Sequence, residues 1–159
     1  AVLDRAVRHR VRLGRRPARR SDEVARGLVA HELIVDGPQV VPDGEPVEVA
    51  LRAAVDEGYH LVVTTGGTGP ALRDVTPEAT APLLDRRADN LLELARLRGL
   101  EKTPFSHLSR GIAGLIGSCL VVNLPGSPAG ATDGIEALRA LIPAILESTA
   151  GGQCPGRPC

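Results

Sequence analysis

Two short and nearly continuous apolar runs stand out along the chain, and each leads into glycines and then into a helical pattern. The first is Leu61-Val62-Val63-Thr64-Thr65, followed by Gly66-Gly67-Thr68-Gly69; the second is Cys119-Leu120-Val121-Val122-Asn123, followed by Leu124-Pro125-Gly126-Ser127-Pro128. Strand, loop and helix in that order mark an α/β sheet. Strands without polar alternation are covered on both faces. Residues 46–57 carry an apolar stripe that includes Val47, Leu51, Ala54 and Val55, which predicts an amphipathic helix stopped by Gly58. Thr76-Pro77-Glu78 reads as an N-cap, a first-turn proline and a first-turn acid, opening a helix over 76–84. A Leu-rich helix is predicted over 88–98, ended by Gly99, and a last helix over 132–148, bent or broken by Pro143. The small-residue stretch between 106 and 117 is read as a short helix.

Composition narrows the class. A chain of 159 residues suits one compact domain. With 43% hydrophobic residues but one Phe, one Tyr and no Trp or Met, its core is aliphatic. Stacking platforms for single-stranded nucleic acid are nearly absent, which argues against an RNA-binding module. No apolar run reaches the roughly 18 residues of a membrane span, so a soluble, cytoplasmic protein is expected.

The formal net charge of zero hides a segregation. Residues 1–20 hold eight Arg against Asp4 alone, a net +7, while residues 21–159 hold 11 basic and 18 acidic groups, a net −7. Arg alternating with Val and Leu over 8–13 would suit an edge strand, but the density of like charge favours a solvated, disordered arm. The expected organisation is therefore a basic arm over 1–20, a domain over 21–150 and a flexible tail over 151–159. A +7 arm would also suit nucleic acid or acidic lipid, yet a solvated segment accounts for it more simply. Cys119 reads as a core thiol, and Cys154 and Cys159 as tail cysteines without a metal-ligand pattern. His9, His31, His60 and His107 show no ligand spacing and are read as surface residues.

The glycine run after Thr65 leaves backbone N–H groups open to cradle a phosphate, although a tight turn would use the same residues. It is neither a Walker A loop nor a dinucleotide fingerprint. Asp74 follows at a distance suited to a magnesium ligand, and Asp43 stands between an apolar run and the helix at 46–57. Either acid would equally serve as a cap or turn residue. A glycine between two prolines at 125–128 makes a stiff wall or a rigid connection. Ser109 and Arg110 offer a hydroxyl and a guanidinium suited to an anionic ligand.

In their order and spacing, Thr64-Thr65-Gly66-Gly67-Thr68-Gly69, Arg73-Asp74-Val75-Thr76-Pro77-Glu78, Ser109-Arg110-Gly111 and Leu124-Pro125-Gly126-Ser127-Pro128 resemble the MogA and MoaB family of molybdenum cofactor biosynthesis. The likeness covers about residues 21–150. It implies a three-layer α/β/α molybdopterin-binding fold with a mostly parallel central sheet, assembled as a trimer or hexamer. Catalytic members use Mg2+ and ATP to adenylylate the terminal phosphate of molybdopterin. By the same match, Asp43 and Asp74 would be the catalytic acids, acting as metal ligands. Thr65, Gly66, Gly67, Thr68 and Gly69 would hold phosphate or nucleotide, and Ser109, Pro125, Gly126 and Ser127 would line the pterin and nucleotide pocket. A molybdopterin adenylyltransferase is expected, with a MoaB-like protein that binds molybdopterin or a precursor without turnover as the alternative. The Arg-rich start departs from the family's apolar first strand and Ser-Asp loop. Ser21-Asp22-Glu23 then reads as a remnant of the first helix start, and a frameshift or wrong start over 1–20 as the reason.

Overall fold

The computed structural model describes residues 10–14 and 34–150. Its centre is a six-stranded sheet formed by β1 (Arg10–Gly14), β2 (Ile34–Gln39), β3 (Leu61–Thr65), β4 (Arg86–Arg87), β5 (Ala113–Ile116) and β6 (Cys119–Leu124), in the order β2-β1-β3-β6-β5-β4. Neighbours from β2 to β6 run parallel, while β5 is antiparallel to both β6 and β4. The helices are α1 (Glu45–Asp56), α2 (Thr76–Thr80), α3 (Asn90–Leu100), α4 (Pro128–Leu138) and α5 (Leu141–Thr149). Single 3-10 turns at Ala81–Leu83 and Pro104–Leu108 complete the described elements.

Every residue of β3 and β6 is buried, as continuous apolar strands between two helical layers require. Alternation splits their side chains between the layers. Leu61, Val63, Leu120, Val122 and Leu124 pack with Leu92 of α3, Ile135 and Leu138 of α4, and Ile142 and Leu146 of α5. On the other face, Val62, Cys119 and Val121 meet Val47, Leu51 and Ala54 of α1 and the ring of Tyr59. The three-layer α/β/α architecture with a mostly parallel sheet is thus present. Burial pushes the Cys119 thiol up to about 12, so it remains a protonated core group.

Several expectations are corrected. Arg10–Gly14 is a strand, and an interior one, with β2 on one side and β3 on the other. Two parallel ladders here outweigh the like-charge density that favoured a disordered arm. The rest of 1–20, the Ser21-Asp22-Glu23 helix start, His9, His31 and the tail cysteines lie outside the described residues. Thr76 is the first residue of α2 and does not cap it; Val75 holds the cap position. Gly99 lies inside α3 and does not end it; the position takes glycine because a Cβ there would come within 2.7 Å of the Ser106 Cβ packed against that face. The predicted last helix is two helices, parted at residues 139–140, with Pro143 in the first turn of α5 where its missing N–H costs nothing. The stretch read as a short helix over 106–117 instead holds the 3-10 turn and β5, because β4 and β6 offer Ala113–Ile116 ladder partners on both sides.

Candidate functional site

From β1 the chain proceeds to β2 on one side, and β3 then starts the other half of the sheet, so the strand order reverses between β1 and β3. Ligands of open α/β sheets sit beyond the carboxyl ends of the strands at such a switch point. The loops after β2, β3 and β6 all emerge at that end.

The loop after β3 is shaped by glycine. Gly66 and Gly67 have φ of 94° and 66°, in the left-handed region that disfavours side chains. Gly66 donates its N–H to Leu124 O at 3.1 Å, and a Cβ on Gly126 would stand 3.0 Å from Gly66 Cα. The two loops therefore touch backbone to backbone, which joins the glycine run to the Pro125-Gly126-Ser127 wall.

Thr68, Gly69, Ser109, Pro125, Gly126 and Ser127 share one cavity of about 280 Å³, set between α3, the 3-10 turn at Pro104–Leu108 and the start of α4. Ser109 Oγ donates to Thr68 Oγ1 at 3.2 Å, tying the first loop to the third motif. Ser127 caps α4 by accepting the Gly130 N–H at 3.2 Å, so the N-terminus of an 11-residue helix opens on the cavity. Thr65, Gly66, Gly67, Asp43 and Asp74 are not on its wall.

Asp74 stands behind Gly69. Its Oδ2 lies so close that a Cβ at Gly69 would be 2.7 Å from it, so the glycine is what admits the carboxylate. Asp74 is half-buried, and its own N–H closes a turn on Ala71 O at 2.8 Å. Asp43 is also half-buried, in the turn between β2 and α1. It is not the cap of α1, since Gly44, at φ 91°, holds that place. Among the described residues there is no group of three or more His, Cys, Asp or Glu that could cage a metal. One or two carboxylates with water is the donor set that magnesium accepts, so Asp43 and Asp74 fit that ion by chemistry.

Arg110 differs from its expected role. It lies outside the cavity wall and spends its guanidinium on the protein: Nε donates to Gly69 O at 2.9 Å, Nη2 to Asp74 O, and Nη1 and Nη2 to the Glu78 carboxylate. The Arg110 hydrogen bond holds the Glu78 carboxyl below the usual carboxylate range.

Beneath the loops lies a buried polar cluster. Asn123 Nδ2 donates to Thr64 Oγ1 at 2.9 Å and to Thr80 Oγ1 at 3.2 Å, while the Thr80 hydroxyl donates to Thr76 O at 2.8 Å. That bond commits the Thr80 proton, so its oxygen must accept, which fixes the orientation of the Asn123 amide. Asn123 Oδ1 and Thr76 Oγ1 are left buried without a hydrogen-bond partner.

Sequence reading missed much of the cavity wall. Lys102, in an ion pair of 2.5 Å with Asp133, and Phe105, the chain's one Phe and 73% exposed, both line it. Arg96 of α3 lines it as well and anchors its far side, donating to Ser109 O at 3.0 Å and Gly111 O at 2.7 Å. The sole signal was an isolated aromatic in an otherwise aliphatic chain.

The family described as "Probable molybdopterin binding domain" matches residues 8–146. The chain is 43% identical over 103 residues to a molybdopterin adenylyltransferase of Haemophilus influenzae, a match that covers 64% of this chain and 52% of that relative. It spans 52 to 64% of the length of this and similar curated adenylyltransferases from Helicobacter pylori and Escherichia coli. Among solved structures, the molybdopterin biosynthesis enzyme MoaB from Thermus thermophilus superposes with a TM-score of 0.84 at 40% identity, covering 92% of this chain and 99% of that one.

Proposed function

The chain belongs to the molybdopterin-binding domain family of molybdenum cofactor biosynthesis, and from that premise we propose that it is a molybdopterin adenylyltransferase, transferring AMP from ATP to the terminal phosphate of molybdopterin. The observation that carries this reading is the cavity at the sheet's carboxyl end, which brings Thr68, Gly69, Ser109, Pro125, Gly126 and Ser127 onto one wall with Asp74 just behind it. Motifs up to 59 residues apart in sequence converge on a single space.

In the proposed reaction an oxygen of the molybdopterin phosphate attacks the α-phosphorus of ATP. The bond from that phosphorus to the bridging oxygen breaks, and pyrophosphate leaves. Little covalent work falls to the protein, so its tasks are positioning and electrostatic stabilisation. Backbone N–H groups of Gly67, Thr68 and Gly69 cradle phosphate, while Thr65 in the β3 ladder and Gly66, whose N–H is held by Leu124 O, set the turn; the Thr68 and Ser127 hydroxyls, whose oxygens accept from Ser109 and from the Gly130 N–H, donate to anionic oxygens. The start of α4 adds its positive dipole end. Leu92, Phe105 and Pro125 form an apolar wall suited to a flat ring. Asp43 and Asp74 are the residues that would hold Mg2+, which when bound supplies neutralisation of charge on the phosphate oxygens. The protein works in the cytoplasm as a homo-oligomer, a trimer by resemblance to its family.

The test follows the label. ATP labelled at the α-phosphate, incubated with molybdopterin, Mg2+ and the protein, should transfer label to the pterin. Label that stays in ATP while molybdopterin binds tightly would sink the transferase reading and favour a binding protein.

A further inference from the structure

We propose that Arg110 is a positioning residue that holds Gly69 and Asp74 together at the mouth of the site without touching substrate. This rests on the transferase reading for its effect on turnover, but not for its effect on the loop.

The geometry is that of a clamp. Arg110 precedes Gly111 on the approach to β5, and its backbone N–H donates to Thr68 O at 2.7 Å. Its side chain then crosses to three points of the neighbouring loop: Gly69 O, Asp74 O and the Glu78 carboxylate on α2. Four of the five guanidinium N–H donors are taken up in this way, so little of the group is left for an anionic ligand. The loop needs such a tie. Leu72 at its tip is fully exposed, and Gly69, Pro70, Ala71 and Arg73 are not buried, so apolar packing does little to fix its course. Two backbone bonds act within it: Asp74 N–H to Ala71 O closes a turn at the tip, and Thr76 N–H to Gly67 O bridges its two ends. Arg110 alone among the described side chains joins Gly69, Asp74 and Glu78 at once. Since the Asp74 carboxylate leans on the Gly69 backbone, the relative placement of these two residues is what the clamp sets.

A lysine cannot substitute. Its ammonium is a single point, whereas two carbonyls and a carboxylate on different sides call for the planar fork. An ordinary surface ion pair, by contrast, would tolerate the exchange.

The experiment compares the full 159-residue chain with Arg110→Ala, Arg110→Lys and Glu78→Ala by amide hydrogen exchange over residues 67–76 and by steady-state kinetics. Arg110→Ala should speed exchange in that segment at least tenfold and lower kcat at least tenfold, with the dissociation constant for molybdopterin changed less than threefold. Arg110→Lys should recover less than half of either effect. If Arg110→Ala does not fold, Glu78→Ala carries the test, with faster exchange in the same segment and a smaller fall in kcat. Wild-type exchange and kcat in Arg110→Ala would overturn the proposal, and so would a loss of pterin affinity that parallels kcat. A wild-type protein without turnover defeats the transferase reading alone, since loop exchange still decides whether Arg110 is a clamp.

Discussion

At Asp74 the proposed site makes two demands: a carboxylate placed to hold a cation, and a position beside the loop proposed to hold phosphate. Gly69 makes the second demand feasible, because any Cβ there would collide with Oδ2. Asp74→Asn should therefore cut turnover by about two orders of magnitude or more while molybdopterin affinity stays within threefold, as expected of a group that serves the transition state. Near-normal turnover would remove Asp74 from the mechanism. Gly67→Val should act on binding, since a branched side chain at φ 66° is strained and fills the cradle. Unchanged nucleotide and pterin affinities, measured by calorimetry, would count against that loop. The glycine turn after β3 was legible in the sequence because glycines directly after an apolar strand carry a local meaning. Arg110 reads from sequence only as a guanidinium suited to an anionic ligand, because its partners Gly69, Asp74 and Glu78 lie 32 to 41 residues away and no local pattern announces them.

Among the elements, β3 and β6 were legible as buried strands, since only a two-sided cover suits runs such as Leu61–Thr65. What local pattern did not reveal was decided by partners. Arg10–Gly14 joins the sheet interior through β2 and β3, and Ala113–Ile116 becomes a strand between β4 and β6. The Asn123 cluster links the end of β6 to β3 and α2, just under both loops. Asn123→Ala should lower stability by about 2 kcal/mol, since two buried hydroxyl oxygens lose their donor. A denaturant midpoint equal to wild type would show that the cluster is dispensable. Gly111→Ala should cost more than the usual surface change, because the new Cβ would lie 2.3 Å from Asn123 O, and β6 carries the loop on which the site depends.

For the whole molecule, charge and pH bear on the same loop. Glu78 has its carboxyl lowered by Arg110, so the ion pair adds stability above the ordinary carboxylate value and loses it as pH falls through the lower folded value. In Glu78→Gln, the acid-induced rise in hydrogen exchange over residues 69–78 should be blunted; an unchanged acid profile would dissociate Glu78 from it. The neutral total of the chain, read at first as a +7 arm and a −7 body, takes another form once Arg10–Gly14 lies within the sheet. In the proposed function, the acidic remainder leaves anion binding to local devices: glycine backbone, helix start and the carboxylates that would hold a metal. Whether those devices perform adenylyl transfer is tested most directly by pyrophosphate release. With molybdopterin, ATP and Mg2+, one pyrophosphate should be released per molybdopterin consumed, with none when molybdopterin is omitted and release slowed by about two orders of magnitude or more in Asp74→Asn. Saturable molybdopterin binding with no pyrophosphate released would contradict the transferase reading.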